Sequence, residues 1–138
     1  MPISRRHLGL LLPALAAAQQ TRTKLPSKVY HHGAIPYTGD ATKKARRFFY
    51  GVNRGDFNLE MHETILGPGV QTHPPHQHIH EEIMVVVEGT VEIFIDGKTE
   101  VAEAGSVVYY ASNQMHNATN VGKVPSRYYI IELRGPEA

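Results

Sequence analysis

Turn residues break this chain about every ten positions from Arg47 onward, and the stretches between them alternate or run apolar over strand lengths. That spacing constrains the fold more than any other feature. Phe57 to Ile65 is the clearest case, with Phe57, Leu59, Met61, Glu63 and Ile65 on one side and Asn58, Glu60, His62 and Thr64 on the other. The apolar side is expected to face the interior. Gly67-Pro68-Gly69 ends that strand, Ile83–Val87 is a continuous apolar run, and Gly89 turns the chain into Thr90–Ile95. Asp96-Gly97 is a two-residue hairpin signal leading into Lys98–Val101. Val107–Ala111 and Arg127–Leu133 complete the set, and no segment after the first 18 residues has helical period. The pattern predicts an all-β sandwich or barrel.

The opening residues read differently. MPISRRHLGLLLPALAAA has a basic start, eleven residues from Leu8 to Ala18 that are almost all apolar, and small residues at 16 and 18, which predicts a signal peptide over 1–18 cut before Gln19. The apolar stretch is too short to span a bilayer. Ser4-Arg5-Arg6 resembles a twin-arginine signal, although Leu8 and Gly9 depart from that pattern; the alternative is an ordinary secretory leader that carries two arginines. The expected location is periplasmic or secreted. Residues 19–45, punctuated by Pro26, Gly33, Pro36 and Gly39, form an N-terminal arm with a short strand at Lys28–His31, and 46–138 form the barrel.

The leader holds two of the 14 Lys and Arg and none of the 13 Asp and Glu, so the mature chain has 12 basic residues against 13 acidic. A net charge of about −1 gives no basic face for nucleic acid, and no membrane partner is expected once the leader is gone. There is no cysteine, so any metal must be held by histidine and carboxylate.

Those residues are concentrated in one stretch, His73 to Gly89. Alternate residues of a strand share a face, so His76, His78, His80 and Glu82 point one way if the strand runs unbroken. Imidazoles and a carboxylate converging on one point suit a divalent first-row metal. His80 is a candidate for a supporting or proton-carrying catalytic role, or turns outward at a bend, and His73, before two prolines, is expected at the entrance or on the surface. Glu63 is a second catalytic candidate. A carboxylate on the apolar side of its strand acts as a general base near the metal, or forms a buried ion pair with Arg54 or Arg127. Tyr109, Tyr110, Tyr128 and Tyr129 are expected as core aromatics with hydroxyls at the rim or pocket, and Asn120 as a turn residue.

Two motifs carry a family resemblance. Gly69, His76, His78, Glu82 and Gly89 follow the pattern glycine, HxH, E, G, with one extra residue before His76; Gly105, His116 and Asn120 follow the second, with Ala111 for its proline and Asn113 for its turn glycine. The chain resembles the cupin superfamily at these positions. The resemblance implies a double-stranded β-helix barrel and a metal site of His76, His78, Glu82 and His116. It also implies one divalent transition metal per chain (Mn, Fe, Ni or Zn) and a homodimer. The function expected is a metal-dependent enzyme of dioxygenase, isomerase or lyase type acting on a small oxygen-rich molecule. The alternative is a non-catalytic metal or small-ligand binding module, or a site that only holds the barrel together.

Overall fold

The computed structural model describes residues 23–135; the signal peptide expected over 1–18 lies outside the described residues. A short 3₁₀ turn, His32–Ala34, precedes nine strands: β1 (Thr38–Gly39), β2 (Lys43–Val52), β3 (Asn58–Leu66), β4 (Glu81–Glu88), β5 (Thr90–Ile95), β6 (Lys98–Glu103), β7 (Val107–Tyr110), β8 (His116–Asn120) and β9 (Ser126–Arg134). They form a six-stranded antiparallel sheet, β1-β2-β3-β9-β4-β7, and a three-stranded one, β6-β5-β8. This is the all-β jelly-roll barrel expected.

Even-numbered residues of β3, β4, β7, β8 and β9 point between the sheets. Along β3, β4 and β9 the inward face changes from polar at one end of the barrel to apolar at the other. On β3 it reads Glu60, His62, Thr64, Leu66; on β4 Glu82, Met84, Val86; on β9, in reverse, Glu132, Ile130, Tyr128. The core of Leu66, Met84, Val86, Val91, Ile93, Ala118, Tyr128 and Ile130 fills the apolar end. The polar end is a mouth.

This gradient overturns one expectation. The alternation of β3 is real, but its apolar side, with Leu59, Met61 and Ile65, faces outward. Tyr37 of the arm bonds Glu63 on that side, and the polar side lines the mouth. The strand expected at Lys28–His31 is absent. The arm instead joins β2 through a parallel bridge between Lys24 and Val52, with Leu25 N bonded to Val52 O at 2.9 Å and Tyr30 packed against Phe49. β2 starts at Lys43, inside the stretch expected to be arm.

The turns match their residues. Asp96 and Gly97 both have positive φ, 45° and 83°, as their hairpin requires. Gly89, at φ 78°, ends β4 where an added Cβ would sit 2.8 Å from Ser126 Cα, so only glycine fits. Asn113 takes the left-handed conformation at φ 61° and donates its backbone N–H to His78 O at 2.7 Å. Asn120, fully buried, ties the β8–β9 turn by donating to Leu66 O and Val124 O, each at 2.9 Å.

Candidate metal centre

His76–His80 is not a strand. β4 begins only at Glu81, and Pro74-Pro75 hold the preceding chain extended and outside the ladder. One antiparallel bridge, His76 to His116, pins the segment to β8: His76 N bonds His116 O at 3.2 Å and His116 N bonds His76 O at 2.8 Å. The site therefore lies between the two sheets, with Glu82 from the large sheet, His116 from the small one, and His76 and His78 from the loop before β4.

The rings of His76, His78 and His116 form a nearly equilateral triangle, with centroids 5.0, 4.9 and 4.8 Å apart. Their nitrogens come within 4.8 Å of one another. Backbone carbonyls fix the tautomers: His78 Nδ1 donates to His80 O at 2.9 Å and His116 Nδ1 to Gln114 O at 2.8 Å. In its neutral form each ring then presents its Nε2 lone pair to the centre, the outer support metal-binding imidazoles usually have. Burial lowers the His116 pKa, but interaction with Glu82 and the bond to Gln114 outweigh it and raise it. His76 Nδ1 lies 2.7 Å from His73 Nδ1, which also reaches Pro74 O at 3.0 Å, so the His73 ring positions His76 from the entrance. Glu82 completes the set, its Oε1 3.0 Å from His78 Nε2 and its Oε2 3.5 Å from His116 Nε2.

His78 Nε2 and His116 Nε2 are both buried, and neither has a well-formed hydrogen bond among the described residues. Two such buried nitrogens facing one carboxylate are costly for a chain that binds nothing there. They fit a cation. Burial raises the Glu82 carboxyl, but interaction with His116 and the charges of His78, His116 and His80 outweigh it and bring it down to about 2. Burial, reinforced by neighbouring imidazoles, lowers His76, His80 and His73, which favours their neutral forms.

His80 turns inward. Its ring stacks on His78 at 3.4 Å, and its Nε2 lies 3.3 Å from Glu82 Oε1 and 3.4 Å from Glu132 Oε2. It stands beside the candidate ligands and links them to a second carboxylate. The centre opens into a pocket of about 380 Å³ whose deeper wall is Met84, Tyr110, Tyr128 and Ile130. The Tyr110 ring stacks on His116 at 4.4 Å, and its buried hydroxyl has no partner among the described residues. Burial holds that phenol protonated.

Glu63 is not part of this site. It points to the opposite side of the sheet, fully buried, where Arg46 Nε, Arg127 Nη1 at 3.1 Å and Tyr37 Oη at 2.9 Å satisfy it. The general-base reading does not hold, because three donors already occupy the carboxylate; the ion-pair reading does, with Arg46 beside Arg127. Glu60, His62 and Glu132, which no sequence motif singles out, line the mouth instead. Burial and the charges of Glu60 and Glu82 push Glu132 up to about 7. The polar side of β3 is the available signal, once the strand's facing is inverted.

A family model for the cupin domain matches residues 62–132. No curated protein matches the chain. Among solved structures, it is similar to an RmlC-like cupin from Shewanella frigidimarina NCIMB 400 (18% identity, 80% of this chain and 95% of that one, TM-score 0.64). It is also similar to KdgF from Halomonas sp. (17%, 78% and 94%, TM-score 0.66). A third is the cupin domain of an XRE-family transcriptional regulator from Enterobacter cloacae (22%, 70% and 99%, TM-score 0.57).

Proposed function

This chain belongs to the cupin family, and we propose that it is an exported metal-dependent enzyme acting on a small oxygen-rich molecule. A barrel of this kind carries unrelated chemistries, so function must be read from the site. One observation carries the proposal: the buried Nε2 atoms of His78 and His116 face Glu82 in the wall of an open pocket. His76, His78, His116 and Glu82 would hold one divalent transition metal. Bound there, such a metal supplies Lewis acidity toward a hydroxyl, enol or carboxylate and, as iron or manganese, reactivity with dioxygen.

The protein's own groups then orient the substrate. Tyr110 Oη offers a proton donor from the wall beside His116, and Met84 and Ile130 exclude water from the inner side. His80 holds a proton at Nε2 between Glu82 and Glu132, which fixes the Glu82 carboxylate in place. Export through the twin-arginine route would deliver the protein folded and already loaded, which favours manganese or iron over tighter-binding copper or zinc.

An open coordination position separates an enzyme from a closed structural centre. Cobalt-loaded protein should show the weak visible absorption of five- or six-coordination and change colour when a small hydroxy acid is added. An intense tetrahedral spectrum that hydroxy acids leave unchanged would sink the enzyme reading.

A further inference from the structure

Glu60 on β3, Glu132 on β9 and Glu82 on β4 are direct cross-strand partners: Glu60 pairs with Glu132 and Glu132 with Glu82. All three face the barrel mouth, forming a row of carboxylates across three adjacent strands. Like charges opposite one another destabilise a sheet unless something neutralises them. A metal at the histidine centre answers for Glu82 only. Arg47 Nε reaches Glu60 Oε1 at 2.9 Å from a largely exposed position.

His62 stands two residues deeper on the same face as Glu60. Its Nδ1 is buried and makes no well-formed hydrogen bond, although it lies 3.4 Å from Glu60 Oε1 and 3.9 Å from Glu132 Oε1. Donors bound to a first-row cation at about 2.0–2.2 Å sit about 2.9–3.5 Å apart, so this triad needs only small side-chain shifts to close on one. The supports a site requires are present too. Arg47 holds Glu60, and His80 Nε2 faces the other Glu132 oxygen at 3.4 Å. A separate cavity of about 530 Å³, lined by Tyr50, Gly51, Asn58 and Arg134, reaches Glu60 and Glu132 and supplies an entry path.

We propose that Glu60, His62 and Glu132 form a second divalent-cation site, joined to the histidine centre through the His80 ring. Two carboxylates and one imidazole make it the more oxygen-rich site, suited to manganese or iron and also to zinc.

The test is metal stoichiometry on the full mature chain, titrated with Mn²⁺ by the loss of the free-ion electron paramagnetic resonance signal, and in a separate series with Zn²⁺ by calorimetry. The wild type should take up two equivalents with at least one of these metals. His62→Ala and the nearly isosteric Glu132→Gln should each take up one, and His116→Ala should also take up one. Circular dichroism identifies any variant that fails to fold, and Glu132→Gln then decides alone. One equivalent in the wild type with both metals, unchanged by Glu132→Gln and lost in His116→Ala, would overturn the second site and leave the histidine centre standing. A single equivalent lost in Glu132→Gln but kept in His116→Ala would support the triad and refute the histidine centre.

Discussion

Two carboxylates, one fully and one largely buried, stand on opposite faces of the same sheet and meet opposite treatment. Glu63, on the outer face of β3, is enclosed by Arg46, Arg127 and Tyr37, so permanent cations and a hydroxyl satisfy it. Glu82, on the inner face of β4, is surrounded by imidazoles that are ligands when neutral and cations only when protonated. The first is complete within the chain. The second is suited to completion by a cation from outside it. Burial of an acid is therefore a poor sign of function by itself; what separates the two is whether the neighbours are fixed charges or open lone pairs.

The comparison can be broken most forcefully at Glu63. Glu63→Gln leaves Arg46 buried without its counter-charge and should cost about 3 kcal/mol in denaturant unfolding, the low end for a broken buried pair because Arg127 also binds Glu88. Metal content should not change. Burial raises the Glu63 pKa, but the bonds from Arg46, Tyr37 and Arg127 together lower it below the ordinary value of 4.5. Its contribution to stability is thus present above the unfolded carboxyl range and is lost as pH falls through the lowered value. Wild-type stability should decline in acid, and Glu63→Gln should decline less; parallel curves would deny the ion pair its role.

Glu82→Gln should do the reverse. Filling the histidine centre at about 100 times its Kd adds about 2.7 kcal/mol to wild-type stability, and this one-site share should vanish in the variant while the metal-free protein melts close to wild type. A large loss in the metal-free state would mean that Glu82, like Glu63, is structural. A smaller effect is expected from His73→Phe, which removes the support of His76 Nδ1: about a tenfold loss of metal affinity, measured by competition with a chelating dye. The smallest is Glu88→Gln, an exposed partner of Arg127, whose loss should barely move the melting temperature if Glu63 is the anchor of that network.

Much of this is legible in the sequence, and what is not has a common cause. Gly89, Asp96-Gly97 and Asn113 announce their turns because backbone conformation is a local property. His76, His78, Glu82 and His116 announce themselves by spacing, and their side chains converge in the folded chain. Parity, however, shows that two sides of β3 differ and not which one faces in. The usual assumption that the apolar side is interior fails where the interior is a polar mouth, so it assigns Glu63 to the wrong face and hides His62. Pairing of Glu60 with Glu132 depends on register between strands far apart in the chain, which no local pattern encodes. An unbroken strand would carry His80 inward by parity alone, but Pro74-Pro75 and the bridge at His76 interrupt it; a bend at Ile79 and His80 brings His80 to the site instead.

The central claim, that the inner carboxylate and its histidines hold a cation while the outer carboxylate holds only the fold, is tested most directly by elemental analysis of three purified proteins: wild type, His78→Ala and Glu63→Gln. Wild type and Glu63→Gln should carry equal amounts of a divalent transition metal, and His78→Ala should carry one equivalent less. Equal content in wild type and His78→Ala, or loss of metal on Glu63→Gln in folded protein, would contradict it.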